Sequence, residues 1–351
     1  MEQNRQNQII FACSLVSKKH HFDGERRKST DILKVLKQTY KVRVCNFTKN
    51  RIIQLFKFFV LTFFNRNRVV FIAKAPSGGN ILLKILRLIK YPRQKICFYT
   101  YGRGFQGDYE EKVDLKNINY ANVLICESNK VKQEMIDRNI ACNIEVFPCL
   151  KHIFNIEIPP FENKKVIAGV FISRIVASKG ILDMLDVLKE INSDGLKITT
   201  TISGGWVEKD VENKIIEQQK LRNDINYLGQ SFTINTINDY TYLSKFDFHF
   251  FPTKFFHDCI PGSAIDAFIA GLPTITSNYE NSREIFNDKV AYFFDFDSKA
   301  SFKEKLLYMY NHQKELYEKR FNCIMEAKKY SEEYFKEFFE RLLSEYLMVT
   351  K

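Results

Sequence analysis

Several things are scarce in this sequence, and each scarcity removes a class of protein. No apolar run reaches the ~18–20 residues that a bilayer-spanning helix requires. The nearest, IIQLFKFFVLTFF at 52–64, is too short and is interrupted by Lys57. The opening MEQNRQNQIIFACSLV is polar and then only briefly apolar, which does not read as a secretory signal. The eight cysteines, at 13, 45, 97, 126, 142, 149, 259 and 323, form no CxxC pair and share no ligand spacing with histidine. Several lie in apolar runs, such as Cys126 in VLICES, and read as buried, reduced thiols of a cytoplasmic protein. Acidic residues are rare at one end: residues 1–100 hold 21 Lys and Arg against 4 Asp and Glu.

What remains is an ordinary globular composition, 45% hydrophobic and 27% charged over 351 residues. That excludes wholesale disorder and collagen-like structure. At ~100–200 residues per domain the length suggests two domains. The net charge of +12 is uneven, with +15 on the first 150 residues and −3 on the rest. A basic front half attracts an anionic partner, and nucleic acid and an anionic membrane surface both qualify.

Short apolar runs alternate with helical patterns along the whole chain. Strands are expected at 9–15, 40–47, 69–74, 95–101 and 122–128, with a helix over 29–38 N-capped by Ser29 or Thr30. The APSGGN stretch reads as a loop before a helix at 81–90. Pro148, Pro159 and Pro160 punctuate an irregular stretch, so 1–150 reads as a first domain and 151–164 as a linker. Alternation restarts at 165 and runs to 328, and 329–351 is a C-terminal helix expected to pack back toward the first domain. Strands alternating with helices imply βαβ units and parallel sheets, hence an α/β fold of two Rossmann-like domains. Ligands in such a pair are expected in the cleft between the domains, at the carboxyl ends of strands.

Two stretches carry the chemistry. In FPTKFFHDCIPGSAIDAFIAGLPTITSN (251–278) a strand ends near Thr253 and a loop holds Asp258, Pro261 and Gly262. A helix then starts near Ser263, with Asp266 expected in its first turn. Its free backbone N–H groups suit a phosphate or sugar oxygen. Spacing alone leaves two readings open: Asp258 and Asp266 contact the hydroxyls of one bound molecule, or they are a solvated loop acid and a helix-start acid. In FISRIVASKGILDML (171–185), Arg174 and Lys179 occupy a strand-to-helix turn, which suits a diphosphate and equally an ordinary solvated loop. Asp295-Phe296-Asp297 looks like a metal-binding pair, but it ends a strand just before a helix and reads better with Asp297 or Ser298 as N-cap. No other cluster offers oxygen ligands, and no metal or other cofactor is expected.

Together the two stretches resemble the family 4 glycosyltransferases, retaining GT-B enzymes that use nucleotide-diphosphate sugars. Ser173-Arg174-Ile175…Lys179-Gly180 stands where that family has Gly-Arg-Leu…Lys-Gly. Asp258-Cys259-Ile260-Pro261-Gly262-Ser263-Ala264-Ile265-Asp266-Ala267-Phe268-Ile269-Ala270-Gly271-Leu272-Pro273 stands where it has Glu-Gly-x-Pro-x-x-x-x-Glu-Ala-x-Ala-x-Gly-x-Pro. The resemblance covers residues 165–300 in motifs and the first half in architecture.

It implies that Arg174 and Lys179 hold the donor diphosphate, replacing a metal ion, and that Asp258 touches the transferred sugar. Asp266 would bind the ribose, and the backbone of Pro261, Gly262, Ser263 and Ala264 would contact sugar and phosphate. Gly204 joins this donor set, as does Gly229 in the expected base-binding loop. Both signature glutamates are aspartates here, and the first domain lacks the family's histidine, leaving Tyr101 or Arg103 in its place beside Gly24 in a reduced glycine loop. The partners implied are a nucleotide-sugar donor and a glycan or lipid-linked acceptor in polysaccharide or lipopolysaccharide assembly. A nucleotide-sugar-binding protein without transfer, such as an epimerase, is the alternative.

ILLKILRLIK and IIQLFKFFVLTFF mix apolar residues with Lys57, Lys84, Arg87 and Lys90. Each suits a helix in a membrane interface, or a core-facing helix with solvated cations. The first reading places the protein on the inner face of the membrane. No aromatic-basic reader motif for nucleic acid is present.

Overall fold

The computed structural model describes residues 8–16, 24–102, 113–205, 207–229, 234–258 and 260–347. The chain divides into two compact units, one made of 1–152 with 330–351 and the other of 153–329.

The first unit runs β1 (Gln8–Cys13), α1 (Gly24–Thr39), β2 (Lys41–Asn46), α2 (Arg51–Phe64), β3 (Val69–Lys74), α3 (Pro76–Leu88), β4 (Ile96–Thr100), α4 (Leu115–Ile118), β5 (Val123–Cys126), α5 (Asn129–Asp137) and β6 (Asn143–Val146). Its six strands are all parallel, in the order β2-β1-β3-β4-β5-β6. The central strands are buried at nearly every position and mostly apolar because helices cover both faces of the sheet. One face packs on α1 through Ile32, Leu33, Val35 and Leu36, and the other on α3 through Leu82, Leu83 and Leu86.

The second unit runs β7 (Ile167–Ile172), α6 (Ile181–Ile191), β8 (Ile198–Ser203), α7 (Lys209–Leu221), β9 (Ile225–Gly229), α8 (Ile237–Leu243), β10 (Phe248–Phe251), α9 (Gly262–Ile269), β11 (Thr274–Ser277), α10 (Ser282–Ile285), β12 (Ala291–Phe294), α11 (Lys299–Asn311) and α12 (Gln313–Ala327). Its parallel order is β12-β11-β10-β7-β8-β9. Chain order reverses between β7 and β10, the switch point where a doubly wound sheet opens a crevice. The last helix, α13 (Glu332–Glu345), belongs to the first unit. Phe339 stacks on Phe71 at 5.2 Å, and Phe335 and Phe338 flank Phe147 at 5.1 and 5.0 Å.

Several expectations move. α1 begins at Gly24, so Ser29 and Thr30 lie inside it and cap nothing. Thr30 Oγ1 turns back on the Arg26 carbonyl (2.7 Å), the usual resort of a hydroxyl inside a helix. The APSGGN stretch is not a loop. It forms the first turns of α3, because Pro76 at the first helical position has no N–H to leave unpaired. The 151–164 stretch contains no helix or strand, and its residues from Ile153 onward group with the second unit. Seven of the eight cysteines are described, and all seven are buried; Cys259 lies outside the described residues. Among the described residues no helix is long and apolar enough to cross a membrane.

Candidate functional site

The turn after β7 and the loop after β10 meet at the switch point. The Lys254 N–H donates to the Ser178 carbonyl (2.9 Å) and ties them together. Gly180 makes the approach feasible. It sits at φ +72°, N-capping α6, and a Cβ there would lie 1.8 Å from the Pro252 carbonyl oxygen. Gly204, just past β8, passes the Ser173 carbonyl so closely that a Cβ would come within 1.6 Å of it. The Gly204 N–H in turn donates to the Gly229 carbonyl at the end of β9 (3.1 Å). The ends of four strands are thus held in one tight layer.

Lys179 ends the 3-10 turn Ala177–Lys179 and is only 6% exposed. Its ammonium pairs with Asp258 Oδ2 and sits 5.2 Å from the centre of the Phe251 ring. Burying an ammonium is costly without compensation, and the carboxylate and the ring face both supply it. Asp258 is held from three sides. Thr253 Oγ1 donates to its Oδ2 (3.0 Å), Asn281 Nδ2 donates to its carbonyl (2.9 Å), and its own N–H donates to the Phe255 carbonyl (3.0 Å). Arg174 lies five residues before Lys179 and is exposed. The structure therefore brings Lys179 and Asp258 together, with Arg174 at the rim of the same turn.

Pro261 is the N-cap of α9, and no side chain caps that helix. Among the described residues the amides of Gly262 and Ser263 have no side-chain acceptor, and they follow Asp258 of the Lys179–Asp258 pair by four and five residues. Asp266 is in the second turn of α9, not the first, because the helix opens directly after Pro261. It is 3% exposed, and the Tyr240 hydroxyl donates to its Oδ1 (2.6 Å). Its shortened side chain is thus drawn inward, toward α8. Behind it, His249 is fully buried, and burial pushes its imidazole down to about 3, with the Asp266 carboxylate opposing.

Asp297, the acid of the apparent metal pair, bonds Lys254 (2.8 Å), while the Ser298 side chain accepts from the Ser301 N–H as the N-cap of α11. Of the two N-cap candidates, Ser298 fills the position.

In the first unit, Gly24 opens α1 with open space around it. Tyr101 is buried in the core, and its hydroxyl lies 2.9 Å from Ser29 Oγ. Arg103, like His20 and His21, lies outside the described residues. Sequence reasoning missed the charged pairs at the carboxyl ends of this sheet. Lys28 pairs with the buried Glu127, whose Oε2 also accepts from the Gly102 N–H (3.1 Å), and Lys74 reaches Ser14 (2.6 Å) and Glu25 (3.2 Å). Burial raises the Glu127 carboxyl, and Lys28 opposes the shift. A lone acid directly after the apolar strand VLIC was the available signal. Tyr240 and Asn281 reach the site from other segments, and Thr253, in the same stretch as Asp258, was readable only as the end of a strand.

Two Rossmann-like parallel sheets in this order, with the site at the second switch point, define the GT-B glycosyltransferase fold. Residues 154–330, more than half of the chain, match the family Glycosyl transferases group 1, and the chain belongs to that family. No curated protein matches the sequence. Among solved structures it is similar to the lipopolysaccharide outer core galactosyltransferase WaaB, at 14% identity and TM-score 0.70, covering 96% of this chain and 99% of that one. HepE from Anabaena, solved with UDP and glucose, gives 12% and 0.68 with the same coverages. TarM from S. aureus, solved with UDP, gives 18% and 0.60, covering 79% of this chain, which spans 55% of TarM's length.

Proposed function

We propose that this protein is a retaining glycosyltransferase of family 4, moving a sugar from a nucleotide-diphosphate sugar to a glycan or lipid-linked acceptor. The observation that carries the reading is the buried Lys179–Asp258 pair beside the uncapped start of α9. A donor diphosphate would lie on the amides of Gly262 and Ser263 at the start of α9, with the backbone of Pro261 and Ala264 beside it and Lys179 and Arg174 neutralising the charge that develops as the sugar departs. These cations take the place of a metal ion. Asp258 would accept hydrogen bonds from the hydroxyls of the transferred sugar. Asp266, oriented by Tyr240, would serve the ribose, with Gly204 and Gly229 flanking the nucleotide.

UDP in HepE and TarM makes UDP-sugars the first donors to try. WaaB's name supports lipopolysaccharide or related cell-surface glycan assembly as the setting. The acceptor side belongs to the first unit, whose positive charge suits an anionic membrane on the cytoplasmic face.

A thermal-shift screen over sugar nucleotides tests the donor. A ligand at a hundred times its Kd stabilises the folded protein by about 2.7 kcal/mol and raises Tm measurably. The hit is then used in a transfer assay with Lys179→Met and Asp258→Asn. Each variant is expected to lose about 10²–10³-fold in kcat, as when a charge-stabilising group is removed from a transition state. The anomeric configuration of the product is expected to match the donor's, and chelators are expected to leave the rate unchanged. Absence of a Tm response to every sugar nucleotide, or wild-type transfer by both variants, would overturn the reading.

A further inference from the structure

α2 has two apolar faces, and the unit uses only one. Phe58 and Thr62 are buried against the sheet. The opposite face carries Ile52 at 78% exposure, Ile53 at 60%, Phe56 at 69%, Phe59 at 40%, Phe63 at 43% and Phe64 at 74%. At ~100° per residue these six side chains share one arc of the helix. They are ordered among themselves, since Phe59 stacks on Phe63 at 5.6 Å and Phe63 meets Phe64 edge-on at 5.2 Å. A soluble protein rarely leaves so many large apolar side chains side by side in water without a partner.

The surroundings say which partner. No Asp or Glu occurs between Asp31 and Asp108, a stretch that holds sixteen Lys and Arg. Exposed Lys49 and Arg51 stand at the N-terminal end of α2 and exposed Arg66 just past its C-terminal end. The Arg66 guanidinium lies 5.7 Å from the centre of the Phe63 ring and donates to the Ile89 carbonyl (2.9 Å). That bond sets exposed Leu88 and Lys90 at the same end. An apolar stripe bounded by cations at both ends, in a stretch of sequence without acidic residues, complements an anionic lipid surface. A second copy of the chain would instead oppose cation to cation across a symmetric contact. The helix has 14 residues, about 21 Å, too short to span a bilayer and suited to lying in its interface.

We propose that the exposed face of α2 is the membrane-docking surface of this protein, with Ile52, Phe56, Phe63 and Phe64 entering the headgroup–acyl boundary and Arg51 and Arg66 pairing with anionic lipid. α3, the other apolar-basic helix, does not carry it, because Leu82, Leu83 and Leu86 are core residues. The proposal names the partner of the acceptor side and rests on that part of the functional reading. It stands apart from donor chemistry.

Flotation of the full chain with vesicles tests it. Binding is expected to phosphatidylcholine vesicles containing about a third phosphatidylglycerol, and to weaken at least about tenfold in pure phosphatidylcholine or at high salt. Phe56→Ser combined with Phe64→Ser is expected to weaken binding at least about tenfold while leaving Tm, and the Tm response to a sugar nucleotide, unchanged. Both positions are exposed, so the variant folds. Absence of binding to anionic vesicles, or undiminished binding by the variant, overturns the proposal. So does a concentration-dependent dimer in sedimentation that the variant dissolves, which would give the face to a second copy. Either failure leaves the sugar-nucleotide response intact and is thereby told apart from failure of the donor reading.

Discussion

His249 sits within β10 with no exposed surface, its Nδ1 3.3 Å from Thr274 Oγ1 and its Nε2 without a partner among the described residues. Burial outweighs the field of Asp266 and lowers its proton affinity to about 3, against 6.5 for a free imidazole. Between those values the unfolded chain binds a proton that the folded one refuses. Stability is therefore lost as pH falls below about 6.5, by up to about 1.4 kcal/mol per pH unit from this one group. Tm is expected to drop between pH 7 and pH 5, and to drop less in His249→Phe, which keeps the ring volume and removes the titration. Equal slopes for the two proteins would refute the account. The same residue shows how far the sequence could be read. FDFHFFPT reads as a buried strand from its aromatics alone, but nothing in it says that the imidazole lies in the field of Asp266, because that interaction joins β10 to a helix beyond a loop. Lys179 and Asp258 were readable as strand-end residues, while their pairing, across 79 positions, was not.

Elements were legible wherever apolar period and length agreed, as in the strands VVFIAK and IAGVFI and the helix ILDMLDVLKEI. One was misread where a breaker residue opens an element, since Pro76 begins a helix. Gly180, the start of a helix as its sequence suggests, also closes the preceding 3-10 turn. That second role makes a quantitative expectation. Gly180→Ala puts a side chain at φ +72° and drives its Cβ into the Pro252 carbonyl, so β7–α6 and the β10 loop must separate. A loss of roughly 2–4 kcal/mol is expected in urea unfolding, together with loss of the sugar-nucleotide Tm response, since Lys179 is the preceding residue. Gly24→Ala, at the open start of α1, is expected to stay within about 0.5 kcal/mol of the parent. Similar losses for both would mean that the close approach at Pro252 is relaxed in solution.

At the scale of the molecule, the two units differ in how the chain builds them. The second is one continuous run, 153–329, whereas the first needs both ends of the chain. α13 fills the α1 face of the first sheet with Phe335, Phe338, Phe339, Leu342 and Leu343, and anchors its edge where Arg341 and Tyr346 bond Glu145 at 2.9 and 2.6 Å. Fully burying each such apolar side chain contributes about 1.5–3 kcal/mol. Five of them together match the ~5–15 kcal/mol by which an ordinary domain is stable. A chain ending at Lys329 is therefore expected to lose the first unit altogether, exposing Phe71 and Phe147 and aggregating. The fragment 153–329 is expected to melt cooperatively and to keep its Tm response to a sugar nucleotide, because every residue proposed for the donor side lies within it. Scanning calorimetry of the three proteins distinguishes the outcomes. If the chain shortened at Lys329 keeps the full heat of unfolding, α13 is an accessory to the first unit and the aromatic layer beneath it closes without help.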